Sequence, residues 1–153
     1  MTEEEFGQHN SEIILLLHGG GLSWWNYREA AKILSAQYHV VLPVLDGHAD
    51  GDAPFASIEE NAARLISYID DHFDGRVLAI GGLSLGGQVA VEILSQRKDI
   101  CQYALIESAL VKPMELTAAL LGPHLWYELR SDQAEVVRHT AGRLSGYPQG
   151  FVR

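Results

Sequence analysis

The sequence predicts an α/β fold: a parallel sheet with helices on both faces. Three observations carry this. Short, nearly continuous apolar runs stand at 13–17, 39–45, 76–82 and 101–106. Runs of that kind suit strands buried on both faces. Longer amphipathic stretches alternate with them, which implies right-handed crossovers between parallel strands.

Residues 1–11 are polar and are expected to be a flexible, frayed end. Ile13 to Leu17 forms the first strand and stops at His18-Gly19-Gly20-Gly21. Ser23 is placed to cap a helix over about 24–37, with Tyr27, Ala30, Ala31 and Leu34 on one face. His39 to Leu45 is the second strand, and a loop rich in Gly and Asp follows to Phe55.

Ser57 and Glu60 have the spacing of a capping box. It opens a helix over about 58–73, with Ala62, Leu65, Ile66 and Ile69 inward. Asp74-Gly75 ends it, and Arg76 to Gly82 is the third strand. The next helix, Leu85 to Arg97, turns Gly86, Val89, Ala90, Ile93 and Leu94 to the sheet. Cys101 to Ile106 is the fourth strand. After Glu107 the pattern becomes helical, over about 113–121 between Pro113 and Gly122, and again over 132–144. The expected organisation is a flexible end (1–11), an α/β core portion (12–112) and a helical portion (113–153).

The net charge of −9 disfavours nucleic acid or an anionic membrane as partner. No stretch has the roughly 20 apolar residues of a membrane span. Cys101 is the only cysteine, so no internal disulfide can form. Together with the acidic N-terminus, this fits a cytoplasmic protein. No metal and no cofactor are expected.

Gly82-x-Ser84-x-Gly86 carries the chemistry. It lies between a strand pattern and a helix pattern. A serine there sits on a sharp turn with its hydroxyl pushed outward, as nucleophilic catalysis requires. The glycines answer crowding on the inner side of such a turn.

Three motifs together resemble the α/β-hydrolase superfamily. Leu16-Leu17-His18-Gly19-Gly20-Gly21 resembles the loop that supplies part of the oxyanion hole. Pro43-Val44-Leu45-Asp46-Gly47-His48-Ala49 resembles the family's Pro-Asp-x-x-Gly-His-Gly turn, departing from it at Val44 and Ala49. Ile80 to Gly87 resembles the nucleophile elbow. The resemblance covers about 12–112, and the helices beyond resemble the start of a cap.

The resemblance implies that Ser84 is the nucleophile. The backbone N–H groups of Gly20 and Leu85 would form the oxyanion hole, with Gly21 or Leu22 as alternatives to Gly20. It implies that His18 is structural and holds loop backbone; His48 is expected to stabilise its own turn. Gly21, Trp25 and Trp126 are candidate pocket residues. Trp24, Tyr27 and apolar residues between Met114 and Leu121 are further wall candidates that could equally be packing.

A serine hydroxyl needs a base, and the base needs an orienting acid. In the family the acid and the histidine follow later strands, which these 153 residues do not include. Glu107 is a candidate acid at the end of the fourth strand, while His124 and His139 are weaker candidates for the base. The expected function is hydrolysis of an ester or related acyl bond in a small acyl-containing substrate, through an acyl-enzyme at Ser84. The alternative is a catalytically incomplete module that binds a small apolar ligand or a complementary chain. Carbon–carbon hydrolysis or acyl transfer would use the same serine. Self-association through an exposed sheet edge is also expected.

Overall fold

The computed structural model describes residues 1–51 and 53–110. Eight regular elements occur among them: β1 (Glu3–Phe6), β2 (Ile13–Leu17), α1 (Arg28–Leu34), β3 (His39–Pro43), α2 (Ile58–His72), β4 (Val77–Leu83), α3 (Leu85–Gln96) and β5 (Cys101–Glu107). A 3₁₀ turn, Trp24–Tyr27, leads into α1. The helices expected beyond residue 113 lie outside the described residues.

The sheet has five strands in the order β1-β3-β2-β4-β5. β3, β2, β4 and β5 run parallel, as the alternating pattern requires, and β1 pairs antiparallel with β3. Residue parity divides the two faces. Ile14, Leu16, Val40 and Leu42 point toward Ala31 of α1, joined by Trp24, Tyr27 and Leu34. Leu15, Leu17, Val41 and Ile80 point the other way, to Ala62, Leu65 and Ile69 of α2 and Val89, Ala90 and Ile93 of α3.

Two expectations are corrected here. The N-terminal segment is not frayed throughout, because Glu3–Phe6 is a strand. Its acidic run hides the reason. The backbone pairs with the open edge of β3, and Glu5 is held by side chains of the core elements: His39 Nε2 lies 2.8 Å from one carboxylate oxygen and Tyr68 donates to the other at 3.3 Å. The second correction concerns 24–37. That stretch is a 3₁₀ turn followed by a seven-residue helix, and Ser23 makes no capping bond. Its hydroxyl instead donates to Asp50 at 3.0 Å. By contrast, Ser57 caps α2 as its spacing predicts, accepting from Glu60 N–H at 3.1 Å.

Candidate functional site

Ser84 stands between β4 and α3 with φ 52° and ψ −110°, a left-handed conformation that a non-glycine residue rarely adopts. Neighbouring backbone fixes the turn. The Ser84 N–H donates to the Glu107 carbonyl at 2.8 Å, and its own carbonyl accepts from Gln88 N–H at 3.0 Å. The glycine requirement is steric: a methyl group at Gly86 would overlap the Leu17 carbonyl and stand 2.6 Å from the His18 oxygen. One at Gly82 would run into the Gly86 carbonyl. The Ser84 side chain makes no capping bond to α3, and the residue is exposed. Among the described residues no side chain hydrogen-bonds its hydroxyl.

The glycine loop after β2 meets the elbow. Gly20 and Leu85 are adjacent, since a methyl group at Gly20 would lie 3.8 Å from Cβ of Leu85. Of the loop's N–H groups, Gly21 donates to His48 Nε2 at 3.2 Å and Leu22 to the Gly19 carbonyl at 3.1 Å. The Gly20 N–H and the first-turn N–H of Leu85 have no partner among the described residues. Two unpaired donors side by side at a helix N-terminus can bind an anionic oxygen.

His18 is fully buried. Its Nε2 accepts from Leu45 N–H at 3.0 Å, so the proton sits on Nδ1, which donates to the Gly19 carbonyl at 2.9 Å. Burial lowers its pKa to about 4 and outweighs that bond, keeping the imidazole neutral. The geometry matches the structural role that the resemblance implies.

The turn after β3 is tied to α2 by residues that the motifs did not single out. The Asp46 N–H donates to Asn61 Oδ1 at 2.9 Å, and Arg64 reaches both carboxylate oxygens of Asp46 at 3.0 Å. A signal for Asn61 does exist in the sequence. It sits in helical register with Leu65 and Tyr68, and a polar side chain on a buried face needs a partner.

Glu107 closes β5 beside the elbow through its backbone, with its side chain exposed. Burial, and after it the Glu107 charge, raises the pKa of Tyr27. Gly21 is exposed, and Trp25 is 37% exposed. Trp24 is the partly buried member of the pair, packed on the α1 face under Arg28. Trp126, His124, His139 and the Met114–Leu121 segment lie outside the described residues. A shallow concavity of about 410 Å³ opens over α2, lined by Arg64, Tyr68 and His72 among others; Ser84 does not line it.

A family profile described as alpha/beta hydrolase family matches residues 14–153. The chain belongs to that family. It is 31% identical over 114 residues to an AB hydrolase superfamily protein of Gibberella zeae, covering 71% of this chain and 40% of that one. It is 26% identical over 94 residues to a soluble epoxide hydrolase of a Corynebacterium species, covering 61% and 33%. This hydrolase-family chain thus spans less than half the length of these two curated relatives. Its fold matches that of a thermophilic esterase from Thermogutta terrifontis with a TM-score of 0.74, at 21% identity, covering 86% of this chain and 48% of the esterase. No helix among the described residues is long and apolar enough to cross a membrane.

Proposed function

We propose that this chain carries the nucleophile and oxyanion hole of a serine hydrolase that cleaves an ester or related acyl bond. One observation carries the reading. Among the described residues, the hydroxyl of Ser84 on its strained turn has no partner, and neither do the adjacent N–H groups of Gly20 and Leu85. Ser84 Oγ attacks the acyl carbon and passes its proton to a general base. The carbonyl oxygen becomes an oxyanion and takes both N–H bonds. The C–O bond to the leaving alcohol breaks as that alcohol gains the proton. Water then attacks the acyl-serine ester, releasing the acid and restoring Ser84. The base and its orienting acid are not seen at Ser84 among the described residues.

The chemistry of the nucleophile separates acyl substrates from epoxides. A serine opening an epoxide forms an ether, which water does not cleave; attack on an acyl carbon forms an ester, which it does. This favours acyl chemistry, although one relative bears the name epoxide hydrolase. A triad without a working base and acid keeps only roughly 10³–10⁴-fold catalysis over water, so turnover beyond that level requires both to act on Ser84.

A fluorophosphonate probe tests the reading on the intact chain, with Ser84→Ala as control. The expected result is an adduct on Ser84 in the parent protein and none in the variant. Equal labelling of both would place the nucleophile elsewhere. No labelling of either would favour the incomplete binding module.

A further inference from the structure

The two histidines of the loops beneath the elbow are bound in a reciprocal way. His18, at the end of β2, accepts the Leu45 N–H from the turn after β3. His48, in that turn, accepts the Gly21 N–H from the glycine loop after β2. The proton on His48 is placed by its surroundings. Its Nδ1 lies 3.1 Å from both the Leu45 and Asp46 carbonyls, which can only accept. Nδ1 therefore carries the hydrogen, and Nε2 keeps the lone pair that faces Gly21.

Packing does not hold Gly21. Its φ is +73°, and a methyl group there would meet nothing within 4 Å. Among the described residues, the bond to His48 ties it to the body of the protein, and Ser23 to Asp50 is the next tie along the loop. The turn that carries His48 is itself anchored to α2 through Asn61 and Arg64.

We infer that His48 is a positioning residue for the oxyanion hole: by engaging the Gly21 N–H it orients the glycine loop and leaves Gly20 as the loop's free donor beside Leu85. This rests on the acyl-hydrolase reading above for its catalytic consequence, but the hydrogen bonding can be tested apart from it.

The test compares the parent chain with His48→Phe, which keeps a ring and loses the acceptor, and His48→Gln, which returns an acceptor close to the Nε2 position. Two quantities are read. The first is the limiting rate and apparent affinity of Ser84 modification by the fluorophosphonate probe. The second is amide hydrogen exchange at Gly20 and Gly21 by NMR. In the parent, Gly21 is expected to be protected while Gly20 exchanges freely. In His48→Phe, Gly21 loses protection and the limiting rate falls about tenfold at unchanged affinity, as misplacement of an oxyanion donor requires. His48→Gln restores most of both. A His48→Phe rate equal to the parent's overturns the proposal, as does equal exchange at Gly20 and Gly21 in the parent. If the parent is not labelled at all, the acyl-hydrolase reading fails, and the exchange pattern alone decides the role of His48.

Discussion

The rings of His18 and His48 meet edge to face, centroids 4.7 Å apart and planes at 72°. Each accepts a backbone N–H from the loop that carries the other. Two separate crossover loops are thereby tied to each other. The His18 half of this lock has a pH limit, because protonation removes the accepting lone pair of its Nε2.

His18 sets that limit. Burial holds its pKa near 4 against an ordinary 6.5. The unfolded chain therefore takes up a proton near pH 6.5 that the folded chain refuses. The stability linked to His18 is full above pH 6.5 and is lost as pH falls toward 4. The slope approaches about 1.4 kcal/mol per pH unit inside that window, or about 3 kcal/mol across it. Urea unfolding at several pH values measures it. In His18→Asn the slope should largely vanish, at the cost of lower stability near neutral pH. An unchanged slope in the variant would assign the acid sensitivity to other groups.

Strain at the elbow gives a second expectation. Ser84 holds a φ of 52° that glycine adopts without cost. Relief of that strain is worth about 1–3 kcal/mol, and the added flexibility of glycine in the unfolded chain takes back about 0.5–1. Ser84→Gly should thus be about 1 kcal/mol more stable than Ser84→Ala by denaturant melting. Gly86→Ala should lose about 3 kcal/mol or fail to fold, since its methyl group overlaps the Leu17 carbonyl. A Gly86→Ala protein with parental stability would mean that the β2–α3 approach is looser than described.

How legible this was in the sequence depends on the range of the interaction. β2, β4 and α3 could be placed because apolar runs and glycine turns are local signals. The Ser57 cap is local too, set by two residues three apart. β1 escaped because its identity comes from the β3 edge and from His39 and Tyr68, which lie 34 and 63 residues from Glu5. Ser23 looked like a cap because Asp50, its partner, is 27 residues away. The choice among Gly20, Gly21 and Leu22 was likewise open, since spacing alone does not say which N–H another group has taken.

β1 has an acid sensitivity of its own, set by Glu5. Burial pushes the Glu5 carboxyl up, but bonds from Gln8, His39 and Tyr68, together with the His39 charge, outweigh this and hold its pKa below 4.5. A depressed carboxylate stabilises the fold above its unfolded pKa and loses that contribution as pH falls through its folded value. This window lies below that of His18. Below about pH 4.5 hydrogen exchange at the β1–β3 amides should therefore gain an added acceleration, on top of the loss linked to His18, that the amides of β2 and β4 lack. In Glu5→Gln the β1 amides should exchange faster already at neutral pH and depend less on acid. Parallel exchange of all four strands would show instead that β1 belongs to the same cooperative unit.

The far edge of the sheet sets a last expectation. Register places Tyr103 opposite Ala79 and Leu105 opposite Gly81, so both continue the face formed by Ile14 and Leu16. That face is covered by α1 over β2 and β3, whereas Tyr103 and Leu105 are 64% and 71% exposed. β5 pairs with β4 on one side and with no described strand on the other. An apolar strand with a free backbone edge is a template for a second copy. We propose that this chain self-associates through β5, and that charge on the strand prevents it. Sedimentation velocity should show a concentration-dependent dimer or larger species in the parent chain. Leu105→Lys, which changes only an exposed side chain, should shift it to monomer without lowering the melting temperature. A parent chain that stays monomeric at high concentration, or a Leu105→Lys variant that associates as strongly, would remove β5 as the contact.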